Sequence, residues 1–516
     1  MANSRTVNVV KNTSATLLDK LMQIVIQFAL RTAFIHILGN EYTGLSGLFT
    51  DVLHVLSLME MGLDSSMIFS LYKPISQKDT RRVKQLLQFY KTAFTIIGFV
   101  VFAAGVCCVP FLPYIVKNVP NIKEDIRVIF MIYVATSACS YFLIYRAVLL
   151  RADQQSRIIS KWNVIVGTVE CVVEVVLLLI FRKYYAYLIV HFCAVVGRNI
   201  IISYITTRKY PQYFNGQKAE PLSKPERHIL FRDLACLTMY DVSGVAINST
   251  DSVFISAFVG TSEVAIIGNF TLIIASIRSM VNQTVNAVKP SIGNLAATSS
   301  NEKQEQVFRT LNFMTFWVAC ICCTCLFVLL NPFVGEIWLN SSYMLSMPII
   351  SVMVANFFIA VMVFPVEGFR TANGLFVQGW MRPLIMAVLN IILDFFWGRM
   401  WGIIGIFFAT TVSRLMTQVW FDPWLVFSRV FKTSVLDYYK DYVIYALITA
   451  ASCALSYYLC DFLPIGHGII RFALSMVVCV VIPNVIVLAL YHKSEEFHYL
   501  RGAISNLLGK FRGRKG

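Results

Sequence analysis

The chain has 516 residues, of which 57% are hydrophobic and only 14% are charged, and its mean hydropathy is +0.67. This composition excludes a water-soluble globular protein, because much of the apolar surface would remain in contact with water. The net charge of +16 does not indicate nucleic-acid binding, since the lysines and arginines lie in short segments between apolar runs.

Long apolar runs separated by polar breaks recur along the whole chain, and each could cross about 30 Å of hydrocarbon as a helix. They predict an all-α polytopic membrane protein with about 14 transmembrane helices. The predicted spans begin near residues 15, 45, 85, 126, 158, 186, 233, 263, 307, 346, 377, 401, 441 and 466. Residues 1–20 are polar and a full-length apolar stretch follows, so we expect the first span to be retained rather than cleaved as a signal peptide.

Basic residues predict the orientation of these spans. If the N-terminus is inside, the inner connections carry most of the lysines and arginines, above all in residues 73–84, in residues 208–232 and in the C-terminal tail. The outer connections are short and carry few. The positive-inside rule therefore favours an even number of helices with both termini in the cytoplasm.

An internal repeat divides the predicted spans into two sets of six. Four residues recur at an offset of 221 and three more polar positions correspond at an offset of 220. At the offset of 221, Gly39, Gly47, Phe49 and Thr50 correspond to Gly260, Gly268, Phe270 and Thr271. At the offset of 220, Asp153, Glu170 and Glu174 correspond to Asn373, Asn390 and Asp394. We predict two six-helix lobes in a parallel pseudo-repeat, plus two C-terminal helices.

The domain boundaries follow from this division. We expect an N-terminal lobe at 1–207 and a cytoplasmic linker at 208–232, where prolines and charges interrupt the apolar pattern. A C-terminal lobe at 233–428 follows, then helices 13 and 14 at 429–490 and a basic cytoplasmic tail at 491–516.

Polar residues within the predicted spans indicate a wet cavity, because such groups are costly at membrane depth unless they face protein or water. Arginine suits an anionic head group, since its guanidinium donates paired hydrogen bonds to phosphate oxygens. The predicted substrate-binding residues are Arg31, Arg278, Arg198, Gln27, Asn282 and Asn248. The alternative for each residue is a hydrogen bond that holds two helices together.

Buried carboxylates are candidates for binding a coupling proton or cation. The predicted ion-coupling residues are Glu60, Asp64, Asp251, Glu174 and Asp394. Glu170 and Glu174 lie four residues apart on one predicted helix, as do Asn390 and Asp394 on another, so each pair shares a face. A satisfied interhelix hydrogen bond is the alternative for these pairs.

Other polar residues receive structural interpretations. His36, His54 and His191 occupy separate spans without metal-ligand spacing, so no metal or other cofactor is expected. Arg370 lies near the predicted inner end of the tenth span, where snorkelling to lipid head groups explains its position. No phosphate-binding glycine loop and no catalytic nucleophile signature is present, so we expect no enzyme activity.

Several segments carry a family resemblance. They are the opening run Asn12–Gly39, the helical segments Gly44–Phe49 and Leu58–Leu63, and the segment Ile247–Gly260. Through them the chain resembles the polysaccharide flippases of the multidrug, oligosaccharidyl-lipid and polysaccharide exporter superfamily. The resemblance implies two lobes around a cavity that opens alternately to each face. Lipid II flippases of the superfamily use cavity arginines in helices 1 and 8, which correspond to Arg31 and Arg278.

The resemblance also implies a substrate and a location. A flippase of this family would turn a polyprenyl-diphosphate-linked oligosaccharide from the cytoplasmic to the outer leaflet of the bacterial cytoplasmic membrane, for surface polysaccharide biosynthesis. Its partners would be membrane lipids, a polysaccharide polymerase or glycosyltransferases, and not nucleic acid.

Two alternatives remain at this stage. A cation-coupled multidrug antiporter would have the same fold and could use Asp251 or Glu60 for coupling. A membrane polysaccharide polymerase or ligase usually needs a large outer loop, whereas the longest outer connection here, Val109–Asp125, has 17 residues.

Overall fold

The computed structural model describes residues 2–56, 67–68, 70–71, 74–75, 77–116, 122, 124–153, 155–214, 222, 226, 249–375, 377–462 and 468–502. Its description of side chains omits 2–17, 284–291, 293–298 and 377. Regular structure in these described ranges is entirely helical, without a strand. The all-α prediction is therefore confirmed.

The long helices are numbered here in chain order. The first six are α1 Ala2–Ile37, α2 Asn40–Leu56, α3 Thr80–Cys108, α4 Ile126–Ala152, α5 Ser156–Phe181 and α6 Tyr184–Lys209. The next seven are α7 Thr261–Thr298, α8 Asn301–Pro332, α9 Met347–Met362, α10 Phe364–Ala372, α11 Met381–Trp401, α12 Ile403–Met416 and α13 Gln418–Val426. The last two are α14 Leu436–Asp461 and α15 Ile469–Tyr491.

Twelve helical segments among the described residues are long and apolar enough to cross a membrane, and they coincide with twelve of the fourteen predicted spans. The second predicted span is described only in part, as α2. The seventh is described only from residue 249 onward, where residues 249–258 are helical. The predicted starts near 126, 158, 346 and 401 lie within about two residues of the helices α4, α5, α9 and α12.

The chain divides into two compact units, Met1–Ile266 and Ile267–Gly516. In the first unit α3 packs on α4, α4 on α6, and α5 on both α6 and α1. In the second unit α8 packs on α9, α9 on α12, and α12 on α11. Three pairings of the first unit, α3 with α4, α4 with α6 and α5 with α6, therefore have counterparts in the second unit, in agreement with the predicted repeat. The exact domain boundaries stay a prediction, because most of the proposed linker lies outside the described residues.

Backbone geometry reproduces the repeat at the helix ends. Gly39 precedes α2 with φ +93° and Gly260 precedes α7 with φ +156°. Residues with a Cβ atom rarely adopt such positive φ angles. Asp153 and Asn373 end α4 and α10 with closely similar angles, φ −86° and −94°. The residues that recur in the sequence thus stop helices at corresponding places.

The two C-terminal helices pack against α8 and against each other. Phe316 of α8 stacks on Tyr445 of α14 with ring centroids 3.9 Å apart. Trp317 Nε1 of α8 donates a hydrogen bond of 3.0 Å to Asn484 Oδ1 of α15. The hydrogen bond satisfies two polar groups that lipid could not, and together with the ring stack it makes α14 and α15 an integral part of the second unit.

Candidate functional site

Arg31 lies on α1, and its Nη2 donates a hydrogen bond of 2.7 Å to the backbone carbonyl of Ala265 at the start of α7. The side chain is half-buried, and Gln27, one turn earlier on α1, is exposed. Arg31 is therefore held against another helix instead of reaching out to lipid. A guanidinium has five N–H donors, and this contact uses one of them.

Asp19, earlier on α1, takes part in helix packing. Asp19 is 6% exposed and accepts hydrogen bonds from Gln23 Nε2 at 2.9 Å and from Asn163 Nδ2 of α5 at 3.2 Å. Asp19 therefore joins α1 to α5 through an interhelix hydrogen bond.

Arg278 and Asn282 lie one turn apart on α7 and are both half-buried. Arg278 has an electrostatic neighbour in Glu367 of α10 but forms no hydrogen bond or ion pair with another described residue. Arg198 on α6 is also half-buried and likewise forms none within the described part of the chain. Asn248 lies outside the described residues. The joint role of these groups as a substrate site stays a prediction.

Of the five predicted coupling carboxylates, Glu60 and Asp64 lie outside the described residues. Asp251 is 8% exposed within the helical segment 249–258. Glu174 and Asp394 are completely buried, on α5 and α11 respectively. The last two are related by the offset of 220 in the sequence repeat, so the two units carry a completely buried carboxylate at corresponding positions.

The carboxylate of the second unit belongs to a polar group formed by α11 and α12. Asn390 Nδ2 lies 3.3 Å from Asp394 Oδ1 and 3.4 Å from Thr410 Oγ1, in position to donate to both. Asn390 and Asp394 are 0% exposed and Thr410 is 4% exposed. The three side chains present several oxygens in a buried space, an arrangement that can hold a small cation or a proton.

The carboxylate of the first unit has a histidine partner that the sequence analysis did not anticipate. His191 Nδ1 of α6 lies 2.8 Å from Glu170 Oε1 and 3.7 Å from Glu174 Oε1, both on α5. The polar atoms of these three side chains all lie within 4.8 Å of one another. We call Glu170, Glu174 and His191 the Glu–Glu–His cluster.

Arg370 does not snorkel to lipid head groups, so that prediction was wrong. Its Nη1 lies 2.9 Å from Asp422 Oδ1 of α13, and Arg382 Nη2 of α11 lies 3.2 Å from Asp422 Oδ2. All three side chains are at least 92% buried. The carboxylate joins three helices of the second unit, and sequence position alone could not show it because Asp422 is distant in the chain.

Comparisons with known proteins place the fold. No family model and no curated protein matches the sequence. The solved structure of the lipid II flippase MurJ in an inward closed conformation is similar, with a TM-score of 0.67, 11% identity, and coverage of 94% of this chain and 99% of that one. The chain therefore shares its fold with this structure.

Multidrug transporters share this fold. A mutant of the Vibrio cholerae MATE transporter VcmN matches with a TM-score of 0.58 and 13% identity, covering 84% of this chain and 98% of that one. An inward-facing MATE family transporter of the MOP superfamily matches with a TM-score of 0.55 and 13% identity, covering 82% and 99%. The chain is thus a multi-pass membrane protein with a fold used by transporters, as the sequence resemblance implied.

Proposed function

We propose that this protein is a flippase that turns a polyprenyl-diphosphate-linked oligosaccharide from the cytoplasmic to the outer leaflet by alternating access. The product would supply surface polysaccharide biosynthesis, with a polymerase or glycosyltransferases as partners. The protein would act in the bacterial cytoplasmic membrane with both termini inside, and it would perform no chemistry on its substrate.

The extent of the structural similarity supports a lipid-linked substrate over a drug. The lipid II flippase covers 94% of this chain, whereas the two MATE transporters cover 84% and 82%. The additional share is similar in length to the C-terminal segment that contains α14 and α15. A fold that extends over nearly the whole chain carries the proposal, although fold by itself does not fix a substrate.

Membrane-depth arginines support an anionic head group. In the proposal Arg31 and Arg278 bind the diphosphate, with Arg198 as a further cation, while Gln27, Asn248 and Asn282 contact sugar hydroxyls. Arginine keeps its charge when it is dehydrated and can donate hydrogen bonds to two phosphate oxygens at the same time. An organic cation would be repelled by the same groups.

Net movement of the substrate to the other leaflet requires a source of free energy. We assign the coupling role to the carboxylates Glu60, Asp64, Asp251, Glu174 and Asp394. Glu174 and Asp394 are completely buried, so binding or release of a cation there would change the charge at a buried position between two helices. The polyprenyl tail would remain in lipid while the polar head passes through the protein.

The test is the leaflet distribution of lipid-linked oligosaccharide in cells depleted of this protein. Depletion should cause the intermediate to accumulate on the cytoplasmic leaflet, where externally added hydrolases cannot reach it, and re-expression should relieve the accumulation. An unchanged distribution would contradict the proposal. A control strain expressing an unrelated multispan protein excludes nonspecific effects of overexpression.

A cation-coupled multidrug antiporter is the second candidate, because MATE transporters have the same fold. It predicts that expression raises drug resistance and that neutralising Asp251 or Glu60 removes the resistance. Normal leaflet distribution together with raised resistance would favour this candidate over the flippase.

A further inference from the structure

The three side chains of the Glu–Glu–His cluster differ in exposure, which decreases from His191 through Glu170 to Glu174. The His191 side chain is 33% exposed, Glu170 is 10% exposed and Glu174 is 0% exposed. The cluster lies about two helical turns, or about 10 Å, from the short connection between α5 and α6. The partly exposed imidazole therefore stands between the surroundings and a fully buried carboxylate.

Glu174 lacks hydrogen-bond donors in this buried position. Neither of its carboxylate oxygens has a hydrogen-bond partner among the described residues. The 3.7 Å separation from His191 Nδ1 permits electrostatic attraction but is too long for a hydrogen bond. An ionised carboxylate without donors is strongly disfavoured inside a membrane protein, so this group favours an added positive charge.

Counting charges shows what the cluster requires. With both glutamates ionised and His191 protonated, the cluster carries one negative charge. No lysine or arginine among the described residues forms an ion pair with either glutamate. One additional proton on Glu174 makes the cluster neutral, and loss of that proton restores a buried charge.

The neighbouring titratable side chains cannot supply the missing charge. They are Cys171 on α5, Tyr187 on α6 and Tyr133 on α4, all of which are uncharged near neutral pH. Tyr187 also stacks on the imidazole of His191, with ring centroids 5.9 Å apart. From α1 the nearby ring of Phe34, 4.5 Å from Tyr187, is apolar. Since Cys171, Tyr187 and Tyr133 are neutral, exchange of charge is confined to the two glutamates and the histidine.

We propose that the Glu–Glu–His cluster is a proton-binding site, in which His191 passes a proton between the surroundings and Glu174 while Glu170 holds the imidazole in place. Protonation transfers no electrons and needs no cofactor: a proton leaves His191 Nδ1 and binds a Glu174 oxygen when the side chains close the 3.7 Å separation. The imidazole, now neutral, then takes up a proton from the surroundings, so the cluster gains one proton in all and becomes neutral. Its use for coupling transport rests on the proposed function, whereas proton binding itself does not.

The proton site is tested spectroscopically on the purified full chain in lipid nanodiscs, without substrate. Infrared spectra recorded across about pH 5–9 should show the carbonyl stretch of a protonated carboxylic acid that disappears as the pH rises. Glu174→Gln should remove about one such carboxyl per chain. Asp437→Asn serves as the control, because Asp437 is 60% exposed and pairs with Lys440 on the surface.

Two results would overturn the proposal. One is a titrating band that Glu174→Gln leaves unchanged. The other is stoichiometric Zn²⁺ binding that displaces the protons in the wild type and is lost in Glu174→Gln, which would make the ligand a divalent cation. If Glu174→Gln does not give a monodisperse protein, Glu170→Gln replaces it: loss of the 2.8 Å contact to His191 should shift the midpoint of the band, and an unshifted midpoint counts against the proposal.

Coupling is tested separately in proteoliposomes that carry a pH gradient. If the protein flips lipid but Glu174→Gln responds to the gradient as the wild type does, the proton site fails as a coupling site and the flippase stands. If the protein flips nothing while the carboxyl band titrates as expected, the proposed function fails and the proton site stands.

Discussion

The backbone N–H of Gly39 and that of Gly260 make the same helix-ending hydrogen bond. Gly39 N donates to Phe34 O at 3.1 Å, and Gly260 N donates to Ile255 O at 3.0 Å. Both bonds reach back five residues and both glycines have positive φ. Two positions 221 residues apart in the sequence therefore perform the same structural task, and this is direct evidence that the two halves of the chain share one plan.

Close approach of the chain at Gly44 makes this glycine essential for packing. A Cβ at Gly44 would overlap the backbone carbonyl of Thr261, which cannot rotate away. We expect Gly44→Ala to destabilise the protein by about 1–3 kcal/mol, the usual range for overpacking. Thermal unfolding of the detergent-solubilised protein measures this change. Gly197→Ala is the matched control, since nothing lies within 4 Å of a Cβ at that position, and equal melting temperatures for both variants would contradict the prediction.

The buried carboxylate of Asp422 balances two buried arginines. Asp422→Asn should destabilise the second unit by roughly 3–5 kcal/mol, because Arg370 and Arg382 would lose their shared counter-ion. The exposed pair formed by Asp437 and Lys440 provides the comparison, and Asp437→Asn should cost less than about 1 kcal/mol. Chemical unfolding followed by tryptophan fluorescence distinguishes the two. A small effect at Asp422 would mean that water or lipid head groups reach these arginines.

Asp394 is expected to act in transport more than in folding. Asp394→Asn preserves the size of the side chain and its hydrogen bonding to Asn390 through the remaining oxygen, so melting temperature should change little. It should nevertheless reduce transport at least tenfold, since a neutral amide cannot bind and release a cation. Surface polysaccharide yield in complemented cells, normalised to protein level, measures the effect. Wild-type yield with Asp394→Asn would remove Asp394 from the coupling residues.

Much of the fold can be predicted from hydropathy, because an apolar run must be long enough to cross the bilayer as a helix. The starts of α4, α5, α9 and α12 are predicted to within about two residues. The repeat is also visible in the sequence, since Gly39 and Gly260 are the residue type that a positive φ requires.

Contacts between helices were harder to predict. Periodicity assigns a side chain to a face of its own helix but does not say which helix lies opposite. For this reason His191 was assigned no role, although α5 and α6 bring it to Glu170. Arg370 was interpreted as a lipid contact for the same reason, because its partner Asp422 lies 52 residues away in the chain. The same holds for the candidate substrate residues. Their residue types indicate anion binding, but the sequence does not say which of them lie close together.

The central claim is tested most directly by reconstituting the purified protein with a fluorescent polyprenyl-diphosphate-linked sugar and adding a membrane-impermeant quencher. The wild type should expose inner-leaflet probe, so quenching should rise from about half to nearly complete, whereas Arg31→Ala with Arg278→Ala should remain near half. Arg399→Ala, which removes one exposed arginine stacked on Phe395, should behave as the wild type. Quenching that stays near half with the wild type, or equal flipping by the double variant, would contradict the account.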